Sequence, residues 1–194
     1  MSMSKVRIAV VIGNPSSKSR TKVLAQAIVA RVADGLDGRL PVQIQTFELG
    51  QLAPHLLASG WPAELPAEGA AAVKAIETAD LIVAVSPVYK GSYTGLFKHL
   101  FDLVGPETLV GRPVLIAANG GSDRHALVVD HQLRPLFAFF RALTVPSAVY
   151  ASEADFDGYT IASPALQVRI AEAADQAVTL VLQREALASQ AVPA

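Results

Sequence analysis

No cysteine occurs in the 194 residues. That excludes disulfides, thiol catalysis and cysteine-ligated zinc or iron–sulfur centres. Charge is scarce too: 17% of residues are charged, and the formal net charge is −1. A broad nucleic-acid footprint needs a basic stripe or a high pI, so no nucleic-acid partner is expected. A local cationic group at Lys18, Arg20 and Lys22 is all that remains of that kind. Long apolar runs are also missing. Stretches such as Leu81 to Val85 fall far short of the ~20 residues that a membrane-spanning helix needs. Lys5 followed by Val6 to Ile12 imitates the start of a secretory signal, but polar Asn14-Pro15-Ser16-Ser17 follows without an A-x-A cleavage pattern. The expectation is a cytoplasmic protein with no membrane partner.

What is present is apolar. Hydrophobic residues make up 52% of the chain, enough for one domain over residues 1–194 with a full core. The runs Val6–Ile12, Val42–Phe47, Leu81–Val85, Val114–Ala118 and Ala148–Tyr150 have the length and β-branched content of strands buried on both faces. Helical spacing separates them, as in Leu133, Leu136, Phe137, Phe140 and in Leu166, Ile170, Ala173, Ala177, Leu180. Such alternation predicts an α/β fold: a doubly wound, five-stranded parallel sheet with helices on both faces and flavodoxin-like order 2-1-3-4-5. Gly50 to Pro66 reads as a long irregular stretch around the sole tryptophan, Trp61, and Ser152 to Pro164 as a second excursion.

In such sheets, ligands bind beyond the carboxyl ends of the strands, near the point where strand order reverses. Three segments rich in Gly, Ser or Thr should meet there: Gly13–Thr21, Ser86–Gly95 and Asn119–Arg124. The first opens a helix, where unpartnered N–H groups and the macrodipole attract a phosphate. It lacks the second glycine of a Walker loop, and no G-x-G-x-x-G follows the strand. A receiver domain needs acidic residues at the end of strand one, where Gly13-Asn14 stands. Gly91-Ser92-Tyr93-Thr94-Gly95 has its serine in the wrong place for a nucleophile elbow, and the four histidines show no metal spacing.

A flavin mononucleotide suits the three loops. Ser16, Ser19 and Thr21 offer hydroxyls to its phosphate, and Arg20 or Lys18 offers a counter-charge of roughly 1.5–3 kcal/mol per charge-assisted bond. Ser19 or Thr21 taken alone reads better as a plain helix cap, but a cap does not explain the whole cluster. Backbone groups of Pro87, Val88, Tyr89 and Lys90, and of Gly120, Gly121 and Ser122, match the hydrogen-bonding edge of the isoalloxazine. The Gly120-Gly121 pair lets backbone approach a flat ring. Tyr89 and Tyr93 are placed to pack beside the ring or at a subunit boundary.

Gly13-Asn14-Pro15-Ser16 with Ser19-Arg20-Thr21, then Ser86-Pro87-Val88-Tyr89-Lys90-Gly91-Ser92-Tyr93-Thr94-Gly95, then Gly120-Gly121-Ser122, resemble NAD(P)H-dependent FMN reductases. Arg124-His125-Ala126-Leu127, Asp130 to Pro135 and Tyr150 to Phe156 extend the likeness to the reductases of two-component alkanesulfonate and methanesulfonate monooxygenase systems. Asn14 and Asn119 depart from it, where relatives often carry Ser or Gly and Thr. The resemblance implies reduction of free FMN by NADH or NADPH, with reduced flavin passed to an FMNH2-dependent monooxygenase. The cofactors carry such hydride chemistry, so no catalytic acid or base is required. Alternatives are a quinone, azo or metal reductase with tightly bound FMN, and a non-catalytic flavin-binding electron carrier.

One irregularity stands apart. Pro135 interrupts a helix expected over Arg124 to Leu143, depriving the His131 carbonyl of its partner, which predicts a kink or π-type bulge around His131. The resemblance implies that this turn is a π-helix at the interface of a tetramer. A homodimer or homotetramer is therefore expected.

Overall fold

A computed structural model describes residues 5–16, 18–58 and 60–190; Ser17 of the first turn lies outside them. The sheet is parallel throughout. Strands β1 (Val6–Ile12), β2 (Val42–Glu48), β3 (Leu81–Pro87), β4 (Pro113–Gly120) and β5 (Leu143–Thr144) lie in the order β2-β1-β3-β4-β5. β6 (Val149–Ser152) continues β5 along the same edge of β4. Between them Val145 to Ala148 stand opposite only Leu115 and Ile116. Pro146, without an N–H, falls in this interruption. The predicted fifth strand is thus one position filled by two pieces.

Alternation along the strands divides the core. Ile8, Val10, Val83, Val85 and Leu115 face helices α1 (Arg20–Leu36) and α6 (Pro164–Gln190). Val11, Ile82, Ala84 and Ile116 face α2 (Leu49–Leu56), α3 (Ala67–Glu77), α4 (Gly95–Asp102) and α5 (Arg134–Phe139). The expectation that every strand is buried fails at β2. Gln43, Ile44, Gln45 and Thr46 are exposed, because this strand forms the sheet's edge and pairs only with β1.

Two expected loops contain regular elements. Gly50 to Pro66 is mostly α2 and a 3-10 turn at Pro62–Glu64. Pro54 is tolerated within α2, where its missing N–H concerns a single carbonyl near the start of a short helix. Ser152 to Pro164 contains a 3-10 turn (Glu153–Asp155) and a hairpin of β7 (Phe156–Asp157) and β8 (Thr160–Ile161). Gly158, at φ +59, supplies the left-handed residue of its two-residue turn.

The helix expected over Arg124 to Leu143 is interrupted as foreseen but ends earlier, at Phe139, and Leu143 belongs to β5. Residues Val129–Leu133 form a π-helix, in which Arg134 N–H donates to the Val129 carbonyl five residues back. Pro135 then falls in the first turn of α5, where no intrahelical N–H is needed. The wide turn thereby resolves the conflict that proline created.

Candidate functional site

Register fixes the site. Ile12 pairs with Val85, and Pro87 with Asn119, so the segments after β1, β3 and β4 leave the sheet at one level. The order reverses at β1, which opens a crevice above it. Buried hydrogen bonds then fasten the loops together. Thr94 Oγ1 donates to the Gly13 carbonyl at 2.8 Å and accepts the Phe97 N–H at 3.2 Å, so it caps α4 while holding the first loop. Ser86 Oγ accepts the Thr94 N–H at 3.2 Å. Thr21 Oγ1 donates to Asn119 Oδ1 at 2.7 Å, joining α1 to β4. Gly13 has no room for a side chain: a Cβ would stand 2.8 Å from the Phe97 ring.

The resulting crevice, about 260 Å³, gathers Ser16, Lys18, Ser19, Arg20, Thr21, Pro87 and Tyr89 from the sequence expectation. Asn14, Asn119 and Tyr159 line it as well. Several of these groups already have partners. Ser19 is the N-cap of α1, its Oγ accepting the Lys22 N–H at 3.3 Å. Lys22 Nζ lies 2.6 Å from Glu48 Oε1. Arg20 donates from Nη1 to Glu153 Oε1 at 2.8 Å and from Nε to the Gly158 carbonyl at 3.0 Å. Among the described residues, Lys18 alone of the three cations makes no ion pair. The first N–H groups of an α-helix lack intrahelical partners, and in α1 these belong to Arg20 and Thr21.

Val88 packs against the core, its N–H bonded to the Asn119 carbonyl at 2.8 Å. Beyond it, Tyr89 and Ser92 pair across a tight turn whose central residues, Lys90 and Gly91, have φ of 52° and 85°. Two successive left-handed residues define a type I′ turn, and lysine in that conformation carries strain of the kind found at ligand-binding loops. Ser92 Oγ donates to Gln132 Oε1 of the π-helix at 3.1 Å.

The two glycines after β4 differ. A Cβ on Gly121 meets nothing within 4 Å, whereas one on Gly120 would lie 2.5 Å from the Tyr150 hydroxyl. That hydroxyl donates to the Ser122 carbonyl at 2.6 Å. Gly120 therefore makes room for Tyr150, and Gly121 alone is free to face a flat ligand. Burial, with Asp123 and Asp155 nearby, pushes the Tyr150 hydroxyl above the usual tyrosine range, so it stays a donor. His131 lies elsewhere, in an open groove of about 560 Å³ beside Phe101, Pro135, Leu136 and Phe139. Thr94 falls within the segment Ser86–Gly95 expected at the site, but the sequence assigns no role there to it or to Tyr150, Glu153 or Tyr159. Of these, only Thr94 carried a local signal, as a threonine three residues ahead of the helical Phe97.

A parallel sheet of this order, with a helix start and three polar loops at its switch point, defines a flavodoxin-like protein built to hold a mononucleotide. Residues 6–157 match the family of NADPH-dependent FMN reductases, and the chain belongs to it. It is an oxidoreductase whose reactants are FMN and a nicotinamide dinucleotide. The chain is 51% identical to the NADH-dependent FMN reductase SfnF of Pseudomonas fluorescens, over 90% of this chain and 91% of that one. It is 49% identical to an FMN reductase (NADPH) of Pseudomonas aeruginosa, covering 91% and 93% of the two chains. With SfnE of Pseudomonas putida it shares 46% identity over 96% and 98%. Among solved structures, an oxidoreductase from Corynebacterium diphtheriae superposes with a TM-score of 0.83 at 34% identity, covering 92% and 98%. The apo form of the NADH:FMN oxidoreductase EmoB gives 0.79 at 27%, covering 90% and 89%. No helix among the described residues is long and apolar enough to cross a membrane.

Proposed function

We propose that the chain takes FMN as a dissociable substrate, reduces it with NADH or NADPH in the cytoplasm, and passes reduced flavin to a separate sulfonate-type monooxygenase. The observation that carries this reading is the crevice at the start of α1. There an anion-ready helix terminus faces Pro87 and Tyr89 of the second loop and Asn119 at the end of β4, with the unobstructed Gly121 two residues further along the chain. Relatives named as NADH-dependent FMN reductases SfnF and SfnE support it. The N–H groups of Arg20 and Thr21, with Ser16, Ser19 and Lys18, hold the phosphate. Backbone of Pro87 to Lys90 and of Gly120 to Ser122 borders the ring. FMN, when bound, supplies the acceptor for the nicotinamide hydride. The chain contributes alignment: loops already fastened by Thr94, Ser86 and Asn119 need little ordering when a ring arrives.

Purified protein decides the matter when NADH and NADPH oxidation are followed with and without added FMN. A colourless protein whose turnover requires added FMN supports the proposal. A yellow protein that reduces quinones, azo dyes or metal ions without added flavin overturns the dissociable-substrate reading.

We also propose that a second copy of the chain covers the groove around His131, giving a homodimer or homotetramer. Phe139, which lines that groove, is 69% exposed, and Leu127, one turn before His131, is 64% exposed, apolar surface of the kind subunit contacts bury. The Ser92–Gln132 bond offers a route from the π-turn to the ring loop. Deleting His131 turns the residues on one side by about 100° relative to the other. Both oligomeric state and flavin affinity should change, and retention of both refutes the role.

A further inference from the structure

Resting on the reading that the crevice holds the FMN phosphate, we propose that Glu153 competes with that phosphate for Arg20 and so keeps FMN binding weak and reversible. Arg20 is the first residue of α1 and lines the crevice. Its guanidinium is turned to the Ser152–Ile161 segment, bonded to Glu153 Oε1 and the Gly158 carbonyl, with the Phe156 ring centre 6.0 Å away. A carboxylate at 2.8 Å cancels much of the charge that a phosphate dianion would seek. An incoming phosphate therefore either displaces Glu153 or binds beside it, and both reduce the net gain.

The contact is not what fastens the segment. Asp155 accepts the Ser152 N–H at 2.8 Å through its carboxylate, and its carbonyl accepts the Ala162 and Ser163 N–H groups at 2.9 and 3.2 Å. Phe156 is buried in the core and pairs with Ile161. The Glu153 side chain, by contrast, is 60% exposed, and among the contacts described its carboxylate bonds only Arg20. Removing its charge leaves the hairpin anchored. The same arrangement recurs at Lys22, which Glu48 neutralises. Two of the three cations around the phosphate turn thus carry their own carboxylates.

Titration of flavin fluorescence at low ionic strength tests the idea, with FMN and riboflavin as probes. Glu153→Gln keeps the side chain's shape and removes its charge. It should bind FMN about two- to five-fold more tightly than the native chain, the range of an exposed ion pair, with riboflavin affinity unchanged. The gain should vanish in an Arg20→Ala background. Equal or weaker FMN binding by Glu153→Gln overturns the proposal and makes Glu153 a residue that positions Arg20. So does a gain shared by riboflavin, or one that persists without Arg20. If the native chain binds no FMN, or Arg20→Ala weakens FMN and riboflavin alike, the phosphate assignment itself falls. Circular dichroism of each variant confirms that the fold is kept.

Discussion

Gly120→Ala tests the third loop through a collision whose size can be worked out. An added Cβ would stand 2.5 Å from the Tyr150 hydroxyl, while the next atoms, Tyr150 Cζ and His125 Cδ2, lie at an ordinary 3.5 Å. The hydroxyl must withdraw by about 0.5–1 Å to reach normal van der Waals contact. Its bond to the Ser122 carbonyl, 2.6 Å long, does not survive such a move in good geometry. The lost bond costs about 0.5–1.5 kcal/mol and the overpacking about 1–3 kcal/mol, so a loss of about 2–4 kcal/mol is expected. Tyr150→Phe loses the bond but also removes the obstructing atom. In that background Gly120→Ala should add little, leaving a coupling of about 2–4 kcal/mol between the two positions, nearly the whole cost of the single change. Urea unfolding of the native chain, both single variants and the double variant measures it. FMN titration on the same set reports whether the loop's position matters to the flavin. Additive losses in the double variant refute the steric argument. Gly121→Ala is the control: with no protein atom near its Cβ, it should leave stability unchanged and weaken FMN alone.

Gly50→Ala should disturb the phosphate turn from behind, because its Cβ would fall 2.3 Å from the Pro15 carbonyl oxygen, a backbone atom that cannot rotate away. An about ten-fold loss of FMN affinity, with a smaller loss for riboflavin, is expected by fluorescence titration. At the opposite end of the sheet, Asp80 bonds Arg7 at 3.2 Å and Arg112 at 3.3 Å. Burial pushes its carboxyl up, but the Arg7 hydrogen bonds and the charges of Arg7 and Arg112 outweigh it and hold the carboxyl below its usual range. A depressed carboxyl stabilises the fold above its unfolded value of about 3.9 and loses that contribution as pH falls through the folded value. Asp80→Asn should therefore cost about 1–3 kcal/mol at pH 7, and urea midpoints of variant and native chain should converge below pH ~3.9.

The strands were legible because an apolar run buried on both faces has few alternatives, and β1 falls on Val6–Ile12 as read. β3 and β4 run further than their apolar residues, since the pairing of Ser86 with Ala118 and Pro87 with Asn119 continues into polar sequence. Exposure of β2 depends on which strand lies at the edge, a fact of topology that composition does not carry. The prolines and glycines of Gly50 to Pro66 resemble loop punctuation, yet tertiary contacts of Leu49 and Leu56 hold α2 in place. The hairpin after Ser152 did leave a trace, since Asp157-Gly158 is a turn signal. The wide turn at His131 was foreseeable from Pro135, a local conflict. The partners Thr21–Asn119, Tyr150–Ser122 and Arg20–Glu153 were not, because each joins residues far apart in sequence.

Those long-range partners divide the site into two parts with different energetics. On the side proposed for the ring, Thr94, Ser86, Asn119 and Tyr150 hold the loops through hydrogen bonds that exist before any ligand arrives, each worth about 1 kcal/mol. A flat ligand entering there meets backbone that is already ordered, so little conformational entropy is lost on binding. On the side proposed for the phosphate, at the start of α1, Arg20 and Lys22 face their own carboxylates. Anion binding by either of these two exchanges one ion pair for another, which yields far less than an unpaired guanidinium offers and leaves Lys18 as the cation with a charge to give. A carrier with a permanent flavin gains from strong attraction on both sides. A reductase that must release its reduced flavin gains from a rigid ring shelf and a phosphate grip already neutralised, since orientation is then kept while affinity stays low.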